Sequence, residues 1–233
     1  MAQDTAVGTA TPDKTHRITR FGMVNAYLVA EDDGLTLIDT MLPGSANKII
    51  AEADERRMPI VRILLTHAHG DHIGSLDALK KRLPDAEVII SARDARLLEK
   101  DMSLDPGEPK DKLRGSYPGA KTKPDTLLEP GDRVGSLEAI AAPGHTPGQL
   151  VFLDQRDRTL YCADAYSTLG GVATTAKPNP RFPLPGLATW HRPTALETAK
   201  ALCELGPARL APGHGKVVEA PVGAMEVAIE RAS

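Results

Sequence analysis

A layered α/β sandwich, two β-rich halves packed sheet on sheet with helices outside them, is the fold class this sequence predicts. Three observations carry that prediction. The first half alternates short strand-like runs with segments of helical period. The second half resumes strand-like runs after a long aperiodic break. The chain has 233 residues without an internal repeat, 41% hydrophobic and 25% charged, which is the size and composition of one packed domain.

The elements follow in order. Residues 1–15 are small, polar and aperiodic and read as a flexible leader, leaving 16–233 as the single domain. From Ile18 the chain is strand-like. Asn25–Glu31 and Leu35–Asp39 are two β-rich runs joined by a tight turn at Asp32-Asp33-Gly34, which predicts a hairpin. Ser45 is the candidate cap of a helix over 46–57, where apolar residues recur at helical spacing. Pro59–Leu65 is a β-branched buried strand that ends abruptly at Thr66-His67-Ala68-His69-Gly70-Asp71-His72. A helix from Ser75 to Arg82, a strand from Glu87 to Ile90 and a helix from Ala92 to Lys100 complete the first half. Asp101–Pro130 is rich in Pro, Gly and Lys, aperiodic, and far longer than the usual connection of about 4–6 residues. Strands are predicted at Leu137–Ala142, Gln149–Asp154 and Thr159–Ala163. A second aperiodic stretch, Tyr166–Pro193, reads as a lid. A helix over Thr194–Leu205, a strand at Ala208–Ala211, the loop Pro212–Gly215 and a helix around Ala224–Arg231 finish the chain.

Composition excludes several function classes. Lys plus Arg number 28 and Asp plus Glu 31, a net charge of −3, too balanced for an electrostatic footprint on nucleic acid or anionic lipid. No apolar run approaches the ~18 residues of a membrane span, and the first residues lack the basic start and apolar stretch of a signal peptide, so a cytoplasmic location is expected. Cys162 and Cys203 sit in apolar surroundings and are expected as buried free thiols. With aromatics at 3%, the core must be mostly aliphatic.

The strongest chemical signal is His67-x-His69-x-Asp71-His72, four metal-ligating side chains within six positions at the end of a strand. Imidazole and carboxylate are the donors that first-row divalent ions prefer. His67 and His69 can point the same way, while Asp71 and His72 can turn to a neighbouring centre, so one loop could serve two ions. Three further donors, His145, Asp164 and His214, each follow an apolar run, two of them in loops framed by Gly and Pro that allow sharp turns and close backbone approach. His16 and His191 lack that setting; the first reads as a leader or strand-edge residue, the second as a residue at a helix start.

Taken together, Thr66–His72 followed by His145, Asp164 and His214 resembles the metallo-β-lactamase superfamily, from about Ile18 to Val218. The resemblance implies a four-layer αββα sandwich with a dinuclear site at one edge of its two mixed sheets. It implies His67, His69 and His145 on one metal, Asp71, His72 and His214 on the other, and Asp164 bridging them. Asp39 matches the superfamily's early structural aspartate, but Met41 stands where a glycine is usual. The implied cofactor is two divalent ions, zinc foremost, with iron, manganese or cobalt as alternatives. Such a pair lowers the pKa of a shared water toward neutrality, so the implied activity is hydrolysis, with Asp71 placed to pass a proton. All seven ligands resemble those of lactonases, which place a tyrosine three positions after the bridging aspartate; here Tyr166 follows by two, a second candidate catalytic group. Apolar lid residues Met102, Leu104, Tyr117, Leu169, Phe182, Leu184, Leu187 and Trp190 point to a small hydrophobic substrate. A lactone or other small ester is the expected substrate, with a thioester or β-lactam as alternatives and a mononuclear-iron dioxygenase as a remoter one. No nucleic-acid or membrane partner is expected, and the protein should be a monomer or homodimer.

Overall fold

In the computed structural model, residues 14–233 are described, so the expected leader, Lys14 and Thr15 apart, lies outside the described residues. The first half comprises β1 (Thr15–Arg20), β2 (Val24–Glu31), β3 (Gly34–Ile38), α1 (Ala46–Arg56), β4 (Ile60–Leu64), α2 (Gly70–Ile73), α3 (Leu76–Arg82), β5 (Glu87–Ser91), α4 (Ala92–Leu98) and β6 (Thr126–Leu128). The second half comprises β7 (Arg133–Val134), β8 (Leu137–Ala141), β9 (Leu150–Asp154), β10 (Thr159–Ala163), β11 (Tyr166–Ser167), β12 (Ala173–Thr174), α5 (Leu184–Ala188), α6 (Arg192–Glu204), β13 (Arg209–Pro212), β14 (Val218–Glu219) and α7 (Val222–Ala232). No helix among the described residues is long and apolar enough to cross a membrane.

Two six-stranded mixed sheets form, in the orders β1-β2-β3-β4-β5-β6 and β14-β13-β10-β9-β8-β7. Side-chain alternation along each strand explains why they stack. Leu150 and Phe152 face the layer between the sheets, with Tyr27, Val29, Ile38, Leu64, Ile89 and Tyr161. Their neighbours Val151 and Leu153 face the opposite way, onto Ala199 and Leu202 of α6 and Met225 of α7. On the other sheet Leu28, Ile63, Val88 and Ile90 turn outward onto Ile49 of α1, Leu79 of α3 and Leu97 of α4. Strands buried on both faces need a helix layer on each side, and the result is the αββα sandwich the sequence predicted.

The directions of the strands determine where function can sit. β3, β4, β5 and β6 are parallel. In the second sheet β8 and β10 both run antiparallel to β9, and β13 runs parallel to β10. The carboxyl ends of β8, β10 and β13 therefore share one edge, and the loops that follow them meet those after β3, β4 and β5. Asn25 on β2 joins the two groups, its backbone N–H donating to Gly213 O at 2.8 Å and its side-chain amide to Pro212 O and Gly215 O at 2.9 and 2.8 Å.

Several local expectations are corrected. The strand-like start is two strands, because a turn at Phe21–Met23 folds β1 back on β2. Ser45 precedes α1 but does not cap it; its hydroxyl donates to Leu42 O at 2.7 Å and accepts from Arg20 at 2.8 Å. The last part of the first long loop becomes edge strand β6, paired with β5. The segment from Tyr166 is only partly a cover: β11 and β12 pair with each other, and β12 packs on α6 and α7. Both cysteines are free and buried, as expected. His16 is on β1, bonded to Glu52 of α1 at 2.9 Å, and His191 caps α6 by accepting from Thr194 N.

Candidate metal centre

All seven predicted donors converge at the shared edge. His67 and His69 leave the end of β4, and Asp71 and His72 lie in the short helix α2 that follows. His145 follows β8, Asp164 follows β10 and His214 follows β13. Donor atoms of His67, His69 and His145 lie within 4.8 Å of one another, as do those of His67, His72 and Asp164, and those of Asp71, His72 and His214. Asp164 is at the middle, 3.4 Å from His72 Nε2 and 3.3 Å from both His145 Nε2 and His214 Nε2. Glycine permits this crowding: a Cβ on Gly213 would lie 2.5 Å from Asp164 Oδ1, and one on Gly115 would collide with His69 Nε2.

Each of the five imidazoles is held from behind. His67 Nδ1 is 3.0 Å from Thr66 Oγ1, and that hydroxyl donates onward to Asp39 Oδ2 at 2.8 Å. His72 Nδ1 meets Asp39 Oδ2 at 2.7 Å. His145 Nδ1 meets the Thr189 hydroxyl at 3.1 Å, which itself donates to Pro185 O. His69 Nε2 faces Arg114 O at 2.9 Å, and His214 Nδ1 faces Met23 O at 3.1 Å. With every partner an acceptor, each ring donates through its outer nitrogen and turns the other nitrogen toward the cluster. His67 Nε2, His72 Nε2 and Asp164 Oδ1 are buried without any hydrogen-bond partner among the described residues. Rings oriented by an outer hydrogen bond, with their other nitrogens gathered around Asp164, are what divalent cations require.

Electrostatics divides the cluster in two. Burial pulls His67, His69 and His145 below the ordinary imidazole value, His145 to about 3. Burial opposes protonation of His72 and His214 as well, but Asp39 and Asp164 outweigh it for His72, and Asp164 and Asp71 raise His214 to about 9. Burial would raise Asp164, yet His214, His72 and His145 hold it well below the usual carboxylate range; the His214 bond does the same for Asp71. The pH dependence of the metal-free protein follows. The three neutral histidines contribute stability that is present above pH 6.5 and lost as pH falls below it. His214 contributes stability that is present below pH 6.5 and lost as pH rises through about 9. Melting temperature measured in excess chelator should therefore peak near pH 6.5, and a flat profile from pH 5 to 9 would contradict these protonation states.

The structure also corrects one candidate and adds others. Tyr166 does not reach the cluster: it is fully buried in the layer beneath α6, and its hydroxyl donates to Ala199 O at 2.7 Å, which leaves no proton to give. Of the expected lid, Tyr117 and Phe182 do flank the site, with ring centroids 4.6 Å from His69 and 5.4 Å from His214. Trp190 is buried, with its indole N–H on Asp111 O, and Met102, Leu184 and Leu187 are exposed. Residues the sequence did not flag include Thr66, Thr189 and Asp94. Asp39 has the predicted structural role, and Met41 keeps the left-handed turn (φ 56°) that a glycine would adopt without strain.

An αββα sandwich with a buried His/Asp cluster at the common edge of its sheets defines a class of metal-dependent hydrolases. The sequence profile of the Metallo-beta-lactamase superfamily matches residues 19–214, and the chain belongs to that superfamily. It is 46% identical over 210 residues to YobT of Bacillus subtilis (strain 168), covering 90% of each protein. It is 31% identical over 143 residues to a hydroxyacylglutathione hydrolase of Xanthomonas axonopodis pv. citri (strain 306), over 61% of this chain and 46% of that protein. Among solved structures, TTHA1623 in a di-iron-bound form superposes with a TM-score of 0.63 at 28% identity, over 88% of this chain and 94% of the other.

Proposed function

We propose that this protein is a dinuclear metal-dependent hydrolase of small carboxylic esters, lactones foremost. The observation that carries the reading is the orientation of the five imidazoles, each anchored through its outer nitrogen with the inner one turned into the cluster. His67, His69 and His145 would hold one ion and Asp71, His72 and His214 the other, with Asp164 between them. Bound divalent ions supply Lewis acidity toward the scissile carbonyl and a water acidic enough to attack at neutral pH. The chain's own groups supply the rest. Asp71 is the one donor at the mouth, its side chain 34% exposed while the other six are buried. Its place at the mouth, 3.3 Å from His214 Nε2, makes its carboxylate the group proposed to pass a proton. Tyr117 and Phe182 make the entrance apolar on two sides, which suits an acyl or aryl substituent.

Zinc is the proposed metal; the di-iron form of TTHA1623 makes iron the alternative to test. A thioester is the second reading, favoured by the likeness to hydroxyacylglutathione hydrolase. Wild-type protein should carry two ions per chain by elemental analysis. Stripping them should lower hydrolysis of γ-lactones, aryl esters or thioesters at least about a hundredfold, and readdition should restore it. A panel that also holds a cephalosporin and a phosphotriester identifies the bond cleaved. Activity untouched by chelation, or one iron per chain with oxygen uptake, would end the hydrolase reading.

A further inference from the structure

Resting on that functional reading, we infer that Asp94 is a positioning residue that locks the two loops carrying the three-histidine half of the metal centre into register. Asp94 lies in the first turn of α4, fully buried, 26 to 54 residues from the groups it holds. Its Oδ2 accepts from Ala68 N at 3.1 Å and from the Thr146 hydroxyl at 2.8 Å; its Oδ1 accepts from Gly148 N at 2.8 Å. Ala68 stands between His67 and His69, and Thr146 follows His145. One carboxylate thus grips the backbone between two of the candidate ligands and the side chain next to the third.

Those three histidines come from different halves of the sandwich, so nothing in the local chain sets their spacing. His69 Nδ1 and His145 Nε2 end only 2.9 Å apart. The approach is built for contact. Gly148 must be glycine, since a Cβ there would lie 2.7 Å from Asp94 Oδ1 and 2.6 Å from its backbone N. The backbone N–H of Asp94 donates to Ser91 Oγ at 3.0 Å, which ties the clamp to the end of β5. No cation pairs with Asp94 among the described residues. Its neighbour Arg93 turns away to Glu108 at 2.7 Å. A buried carboxylate held only by neutral donors is a costly way to gain stability alone. It is well suited to fixing geometry, because it accepts several directed hydrogen bonds at once. Asp39 thus orients His72 directly and His67 through Thr66, and Asp94 sets the separation of His67, His69 and His145.

Two kinds of variant test this. Asp94→Asn keeps the shape, but an amide nitrogen at either oxygen position faces an N–H donor, from Ala68 or from Gly148. Thr146→Val removes one hydrogen bond and keeps the carboxylate, while Thr146→Ser keeps the hydroxyl. Cobalt(II) is titrated into each protein, and stepwise affinities are read by chelator competition together with the d–d absorption bands. A parallel series in the His214→Ala background, where the other half has lost a ligand, reports the three-histidine half by itself.

The expected result is a 10–100-fold weaker affinity for one ion in Asp94→Asn and Thr146→Val, with altered d–d bands. The second ion should stay within about twofold, and Thr146→Ser should match wild type on the same scale. In the His214→Ala background the remaining ion should show the same weakening. Wild-type affinities and spectra in both variants would overturn the inference. Equal weakening of both ions in step with a lower melting temperature would also overturn it, in favour of a general structural role. If Asp94→Asn fails to fold, the Thr146 pair decides alone. A wild type that binds both ions while Thr146→Val is unchanged refutes the clamp and leaves the hydrolase reading standing; a wild type that takes up no ion refutes both.

Discussion

Asp164→Ala should cost about a thousandfold or more in kcat/KM and reduce bound metal from two ions to at most one, because its carboxylate stands between the two halves of the cluster. Its carboxylate lies 3.3 to 3.4 Å from His72, His145 and His214, each on a different segment of the chain. It is also the charge that makes a buried group of imidazoles tolerable: without it His214 loses the first cause of its elevation to about 9. The variant should therefore show a second signature independent of catalysis. In excess chelator, the alkaline fall in melting temperature should shrink and move toward pH 6.5, since His214 would no longer gain a proton on folding. Steady-state kinetics, elemental analysis and a pH series of thermal melts measure all three. A variant that keeps two ions and a rate within tenfold of wild type would remove Asp164 from the centre of the mechanism.

Asp39→Asn should be the most damaging change at a residue that is not a candidate ligand. Asp39 Oδ1 accepts from Thr66 N at 2.9 Å, and Oδ2 accepts from Thr66 Oγ1 at 2.8 Å and His72 Nδ1 at 2.7 Å. Both oxygens are fully used, so an amide nitrogen at either place meets a donor. Asparagine tolerates the left-handed backbone at this position (φ 60°), so the loss would come from the hydrogen bonds and not from strain. Removing one partner of a buried charged pair costs about 3–5 kcal/mol. For a domain of this size that corresponds to a fall of roughly 6–20 °C in the melting temperature of the chelated protein. Metal affinity should fall about 10–100-fold as well, since His72 loses its anchor directly and His67 loses it through Thr66. A chelated melting temperature within 2 °C of wild type would show that His72 is oriented by something else.

Asp39 and Asp94 illustrate how unevenly the site could be read from the chain. Asp39 was legible through a resemblance, because it ends a strand in a recognisable setting. Asp94 was not, because an acidic residue in the first turn of a helix already has a sufficient local explanation in the helix dipole. The acceptors behind His69 and His214 are backbone carbonyls of Arg114 and Met23, and a carbonyl has no residue identity to read. Tyr166 misled for a related reason. Two positions after Asp164 it would share a strand face, but a turn from Cys162 to Ala165, with Ala163 at φ 45°, breaks the alternation and sends its ring beneath α6. Ser45 occupies the predicted cap position with its hydroxyl committed elsewhere, since Arg20 and Leu42 O compete for it.

The chain by itself determined the layered sandwich and the inventory of seven donors. Both are local properties: strands buried on two faces announce themselves by unbroken apolar runs, and His or Asp after such a run is visible wherever it occurs. Only the tertiary structure decided which nitrogen of each imidazole faces inward, which carboxylates hold the loops, and that Tyr166 is a packing residue. Those outcomes depend on contacts between segments up to 191 residues apart, such as His214 with Met23, whose partners are chosen by how two sheets stack and not by any neighbour in sequence.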